Sequence, residues 1–185
     1  MADNIKEQLE VFHDKNVHIE SRSILLTGEV GLEMFTEFFK NFHVLNQSTG
    51  TITIFINSEG GDLDQCKAIY DLIKSSGNHI VGTVYGEASS SASLILQACD
   101  TRTMSKSSYL MIHIGEEATG GHPSNKKAWD AKFAKDTEWM LNTYLVRIKQ
   151  KKPRYTKAKL TELLKFDTIL STDDAAALGL IDKGE

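Results

Sequence analysis

Thr51-Ile52-Thr53-Ile54-Phe55-Ile56 runs directly into Asn57-Ser58-Glu59-Gly60-Gly61, and the reading of that stretch decides the fold. Consecutive β-branched and aromatic residues specify a strand, and the polar segment with paired glycines specifies a turn at its end. Downstream, Cys66, Ile69, Tyr70 and Ile73 fall at i, i+3, i+4 and i+7, one face of a helix that closes near Ser76-Gly77. His79-Ile80-Val81-Gly82-Thr83-Val84 is the next strand. Upstream, Ser23-Ile24-Leu25-Leu26-Thr27-Gly28 is a short apolar run closed by glycine, a buried strand. Phe35, Phe38, Phe39, Phe42 and Leu45 then recur at helical spacing. Strand–helix–strand–helix–strand is the pattern of an α/β protein, with parallel strands joined by right-handed crossovers.

The remaining chain adds elements around this frame. A further strand covers Tyr109 to His113, and a long helix runs from about Lys126 to Lys149 with Phe133, Met140, Tyr144 and Ile148 on one face. Thr156 caps a short helix through Leu164, and Ser171-Thr172-Asp173-Asp174 caps another through Leu178, with Gly179 as its stop. Gly115 to Asn125 lacks periodicity and reads as a flexible loop. Residues 1–21 are polar and weakly periodic, an N-terminal arm, and 22–185 form the main domain. Phe38, Phe39 and Phe42 present more aromatic area than one helix of a small monomer hides, which predicts that part of that area is buried between subunits.

Composition removes several classes. The 185 residues fit one globular domain, and 41% apolar with 25% charged residues is ordinary for a soluble protein. Twenty-one basic against 25 acidic residues give a net charge of −4, which argues against a nucleic-acid binder. Two cysteines, Cys66 and Cys99, cannot build a disulfide framework or a four-cysteine zinc site, and they suit a reducing cytosol. The N-terminus carries no secretory signal, and the uncharged run Ala88 to Cys99 is too short to span a membrane, so no membrane role is expected. Seven basic residues between Arg147 and Lys159 have no acid among them. They read as a solvated face, or one that meets acidic groups on a neighbouring subunit, ahead of a nucleic-acid patch.

Three polar clusters share one property. Asn57–Gly61 and Gly86-Glu87-Ala88-Ser89-Ser90-Ser91 each follow a strand, and His113 ends another. If the strands are parallel neighbours, the first two clusters lie on the edge where open α/β sheets place ligands. A serine at the start of a helix is exposed to an incoming carbonyl, and the helix amides stabilise developing negative charge. A Gly-Gly segment lets main-chain N–H groups approach a substrate, and a histidine serves as base and then acid. Taken singly, each has a plainer reading: a tight helix–sheet contact, a turn, a structural histidine. Their combination points to acyl transfer.

These residues resemble the ClpP family of serine peptidases. Ile56-Asn57-Ser58-Glu59-Gly60-Gly61 is similar to its I-N-S-P-G-G loop, Ala68-Ile69-Tyr70-Asp71 to the helix after it, and Gly86 to Ser93 to G-x-A-A-S-M-G-S. Met111-Ile112-His113 matches the family's M-I-H, Ile24 to Val30 its first strand, and Leu170 to Asp182 its closing S-A-x-E-A and G-L-I-D. The resemblance runs from about residue 22 to the end. It implies Ser90 as nucleophile, His113 as base, and the Gly61 and Ser91 main-chain N–H groups as the oxyanion hole. It implies a crotonase-like α/β spiral of ββα units with a protruding handle helix from Lys126. It further implies heptameric rings stacked as a tetradecamer and a cytoplasmic setting. Unfolded polypeptide would be the substrate, fed by an AAA+ unfoldase such as ClpX or ClpA. No cofactor is expected in this chain, ATP entering only through the unfoldase.

The departures from the family are specific. Glu59 stands where the loop has proline, and Ser91-Ala92 where Met-Gly follows the nucleophile. The family's catalytic Asp lies eight residues before the closing serine, where this chain has Leu163. Asp167-Thr168 matches the family's Asp-Thr if four residues are deleted, so Asp167 is the expected third member; Glu162, or none, are the alternatives. Two further readings stand beside the peptidase: a ring subunit without a competent site, and a crotonase-like acyl-CoA enzyme, against which Ser90 and His113 argue.

Overall fold

The computed structural model describes residues 12, 14–115 and 125–184. Most of the predicted arm and the predicted loop between Gly115 and Asn125 therefore lie outside the described residues. The strands are β1 (Val17–His18), β2 (Ser23–Val30), β3 (Ile52–Gly61), β4 (Ile80–Ser89), β5 (Thr101–Met104), β6 (Tyr109–Ile112), β7 (Thr168–Ser171) and β8 (Lys183–Gly184). The helices are α1 (Leu32–Leu45), α2 (Leu63–Lys74), α3 (Ser91–Ala98), α4 (Lys126–Lys151), α5 (Lys157–Leu163) and α6 (Thr172–Leu178). One sheet runs in the order β1-β2-β3-β4-β5-β8, with β2, β3 and β4 parallel as expected and β5, which the sequence reading did not foresee, parallel to β4. β6 branches from the far end of β4, pairing Tyr109–Met111 with Glu87–Ser89, and β7 joins it antiparallel.

The principal strands run further than the apolar pattern indicates. β3 continues through the segment read as a turn, and its Gly60 and Gly61 pair with Glu29 and Val30 of β2. β4 likewise continues to Ser89. The ladder shifts register between Ile56 and Ser58, an irregularity that bends the strand ends and re-aims their side chains. Beyond the shift, Ser58 and Gly60 face inward while Asn57, Glu59 and Gly61 are exposed, the alternation of a strand with one wet face.

The helix boundaries follow local chemistry. Asp62 caps α2 by accepting the Asp64 and Gln65 amides, Thr156 caps α5 through Lys159, and Ser171 caps α6 through Asp174. Gly179 ends α6 at φ 92°, a left-handed conformation suited to glycine. Ile52, Ile54, Ile56 and Ile80 share one buried core with Cys66 and Ile69 of α2 and with Leu94, Ile95 and Leu96 of α3.

The phenylalanines of α1 divide, and the premise that one helix cannot hide them fails for two of the three. Phe38 and Phe42 are 1% and 2% exposed, stack with ring centroids 5.0 Å apart and belong to the chain's own core. They leave no area for a partner, and of the three Phe39 alone is exposed. The helix hides two aromatic rings because they share its inward stripe. Part of the basic run is likewise used inside the chain. Arg147 donates to the Gln97 and Cys99 carbonyls, Lys151 to the Ala176 carbonyl, and Lys157 pairs with Glu138. Among the described residues no helix is long and apolar enough to cross a membrane.

Arg102 of β5 is buried and donates to both Asp182 carboxylate oxygens, at 2.6 and 3.3 Å, and to Gln97 Oε1 at 3.0 Å. Partial burial pushes the Asp182 carboxyl up, but the Arg102 hydrogen bonds outweigh it and hold the group below the usual aspartate range. A depressed carboxyl contributes stability above its unfolded value and loses it as pH falls through the folded value. Asp182→Ala should therefore destabilise the fold by about 2 kcal/mol near neutral pH, since it strands a buried guanidinium. The difference from wild type should shrink as acid titrates the pair. Urea denaturation of both proteins at several pH values checks it.

Candidate active site

Ser90 sits where β4 turns into α3, with φ 51° and ψ −122°. A side-chain-bearing residue is rarely held there, and the strain is of the order of 1–3 kcal/mol. Three contacts keep it in place. Its N–H donates to the Met111 carbonyl at 2.7 Å. Its carbonyl accepts the Ser93 N–H at 3.1 Å and the Ser93 hydroxyl at 2.6 Å. The Tyr144 hydroxyl lies 2.6 Å from Ser93 Oγ. Ser93 spends its proton on Ser90, so Tyr144 is the donor to Ser93; burial raises the Tyr144 pKa and keeps that proton in place. The turn lifts Ser90 Oγ away from its own backbone and toward His113.

Ser90 Oγ lies 2.8 Å from His113 Nε2, and His113 Nδ1 lies 2.9 Å from Asp167 Oδ1. The register of β6 and β7 brings the second pair together. Tyr109 pairs with Ser171, Leu110 with Leu170, Met111 with Ile169 and Ile112 with Thr168. One step beyond the antiparallel ladder, His113 meets Asp167. Glu162, the alternative acid, pairs with Lys165 at 2.6 Å. Leu163, at the gapless position, packs against the core and its carbonyl accepts the Thr168 hydroxyl. The Asp167 carboxylate is 69% exposed, so its hold on His113 depends on geometry more than on desolvation.

Gly61 and Ser91 line the groove beside Ser90. The Ser91 N–H is in the first turn of α3, where no intrahelical acceptor exists. Gly60 is what allows β3 to come so close: a Cβ there would stand 2.5 Å from the Ser89 carbonyl and 2.9 Å from Ser90 Cβ. The groove measures about 900 Å³. Leu94, Met111, Phe133 and Met140 supply apolar surface, and Trp129 stands further along α4. Lys132 of α4 reaches Asp64 of α2 at 2.9 Å and Asp136 at 2.7 Å, and Lys67 also pairs with Asp136. This network ties the helix that walls the groove to the helix under β3.

The Clp protease family model matches residues 6–183. The chain belongs to the Clp protease family. It is 24% identical over 168 residues to ATP-dependent Clp protease proteolytic subunit 2 of Pseudomonas aeruginosa, a match covering 89% of this chain and 81% of that protein. To proteolytic subunit 4 of Streptomyces avermitilis it is 28% identical over 134 residues, 71% of this chain but 58% of that relative. The match to subunit 2 of Treponema denticola spans half of each chain at 30% identity. Thus the chain matches little more than half the length of some curated relatives. In structure it resembles a point mutant of ClpP1 from Listeria monocytogenes, with a TM-score of 0.79 over 90% of this chain and 92% of that one. At 22% identity that likeness establishes the ClpP fold.

Ser93 and Tyr144, which support the Ser90 turn, carry no signal of that role in the sequence. Tyr144 lies on the apolar face of α4 and reads as a core residue; its hydroxyl partner is 51 residues away and visible only in three dimensions. The Lys67–Asp136–Lys132–Asp64 network escapes sequence reading for the same reason.

Gly60→Ala should displace the start of α3, because the new methyl has only backbone and Ser90 to push against. The expected cost is about 2 kcal/mol, with loss of the Ser90–His113 contact. Thermal unfolding and the reactivity of Ser90 toward a fluorophosphonate probe check it: wild-type values in both would mean that β3 does not brace the turn.

Proposed function

We propose that this chain is a serine endopeptidase, a proteolytic subunit that cleaves unfolded polypeptide. The observation that carries the reading is the continuous contact from Ser90 Oγ through His113 to Asp167, at 2.8 and 2.9 Å. With its Nδ1 proton directed at Asp167, His113 presents an unprotonated Nε2 to Ser90. It takes the hydroxyl proton as Oγ attacks the scissile carbonyl, and Asp167 stabilises the imidazolium that results. The Gly61 and Ser91 N–H groups receive the oxyanion. His113 then gives its proton to the leaving amine, an acyl-enzyme remains on Ser90, and water activated by His113 releases it. Every proton transfer uses the chain's own groups, so the chemistry calls for no metal or nucleotide in this chain.

The same proposal extends to assembly: heptameric rings stacked as a tetradecamer in the cytosol, supplied by an AAA+ unfoldase. The curated relatives are named as subunits of ATP-dependent proteases. Leu32, Val146, Phe166 and Ile169 are each more than 60% exposed, apolar surface that a partner subunit would cover. Multi-angle light scattering should give a mass many times 20.6 kDa. A stable monomer at micromolar concentration contradicts the assembly.

Ser90→Ala should abolish both peptide cleavage and fluorophosphonate labelling, while Ser89→Ala retains them. Asp167→Asn keeps the shape and removes the charge. It should lower kcat by about 10²- to 10⁴-fold with little change in KM. A loss below about threefold would mean that another acceptor orients His113. A wild type that neither labels nor cleaves would overturn the peptidase reading.

A further inference from the structure

The groove beside Ser90 is unevenly charged. Among the described residues five carboxylates line it, Glu59, Asp62, Asp64, Asp136 and Asp167, against one lysine, Lys132. Most are already matched. Lys132 is shared by Asp64 and Asp136, Lys67 also reaches Asp136, and Asp167 faces His113. Asp62 accepts the first amides of α2 and lies at the positive end of that helix. Glu59 has no hydrogen-bond or ion-pair partner among the described residues.

Its place on the strand gives that carboxylate a consequence. Glu59 and Gly61 lie on the same exposed face of β3, with Gly60 turned inward between them. Two residues along a strand are about 7 Å. An unneutralised carboxylate therefore stands within about one substrate residue of the N–H group assigned to the oxyanion. In a groove filled by substrate and emptied of water, that charge opposes the negative charge developing on the carbonyl oxygen. A cation carried by the substrate removes the penalty, and an anion compounds it.

We propose that this groove selects polypeptide segments carrying lysine or arginine within about two residues of the cleaved bond. The inference rests on the peptidase reading for its chemistry, but the charge preference is a property of binding and is measured without turnover. Glu59 is a specificity residue here, acting on the substrate's charge.

The test uses the full chain and two fluorescent peptides that differ at one position, lysine or glutamate, beside a shared leucine. Their affinities for Ser90→Ala are read by anisotropy, and their hydrolysis by wild type as kcat/KM. The lysine peptide should bind Ser90→Ala on the order of tenfold tighter. Sodium chloride near half molar should shrink that ratio, and Glu59→Gln in the Ser90→Ala background should bring it to within about twofold. Equal affinities, tighter binding of the glutamate peptide, no binding of either, or a ratio unchanged by Glu59→Gln each overturn the proposal. If Ser90→Ala discriminates but wild type cleaves neither peptide and Ser90 does not label, the peptidase reading fails while charge selection stands.

Discussion

The backbone of Ser90 is the constraint around which the rest of the molecule is arranged. A serine at φ 51° and ψ −122° does not hold that conformation alone. It is over-determined from four sides: by β6 through the Met111 carbonyl, by β3 through the bare Gly60, by α3 through Ser93, and by α4 through Tyr144 behind Ser93. Each element is placed by its own packing, so the strain at one residue is spread over the folding energy of the sheet and two helices. A hydroxyl raised on such a turn points at whatever the neighbouring strand ends present, and His113 directly follows β6.

The same strand that fixes the turn also fixes its partner. β6 gives a carbonyl to Ser90 N–H and carries His113 immediately beyond its last paired residue. Its other edge binds β7, and the antiparallel ladder carries Asp167 to His113. The site is therefore assembled by strand register, which tolerates changes of loop length elsewhere. Counting from the closing serine reaches Leu163, a packed residue, because the count ignores where β7 begins pairing. Thr168, the first residue of β7, pairs with Ile112, and this sets Asp167 beside His113.

Much of this was legible in the residues. The parallel frame followed from three apolar runs and two helical periodicities, and the caps of α5 and α6 lie at Thr156 and Ser171 as read. What escaped has physical causes. β1 and β8 are two residues long, and β5 is Thr-Arg-Thr-Met, too polar to read as a buried strand. Arg102 is buried because Asp182, 80 residues later, returns to neutralise it, a long-range term that no local pattern carries. The glycines that end β3 read as a turn, yet they continue the ladder, because the missing Cβ atoms let β2 and the Ser90 turn approach at once. Phe38, Phe39 and Phe42 showed the helix but not its rotation, which decides which rings are buried.

The long helix α4 shows why positioning and recognition are hard to separate here. Its C-terminal half is core: Met140, Tyr144 and Ile148 are buried, and Tyr144 supports the Ser90 turn through Ser93. Its N-terminal half is half-exposed and polar, held over the groove by Lys132 and Asp136 against Asp64 and Lys67 of α2. α2 in turn starts at Asp62, directly after the strand end that carries Glu59 and Gly61. One helix thus joins the two sides of the groove, by packing at one end and by charge at the other. The charged end is screened by salt and the packed end is not. Width of the groove and support of Ser90 can therefore respond differently to the same change in solution, although both are functions of a single helix.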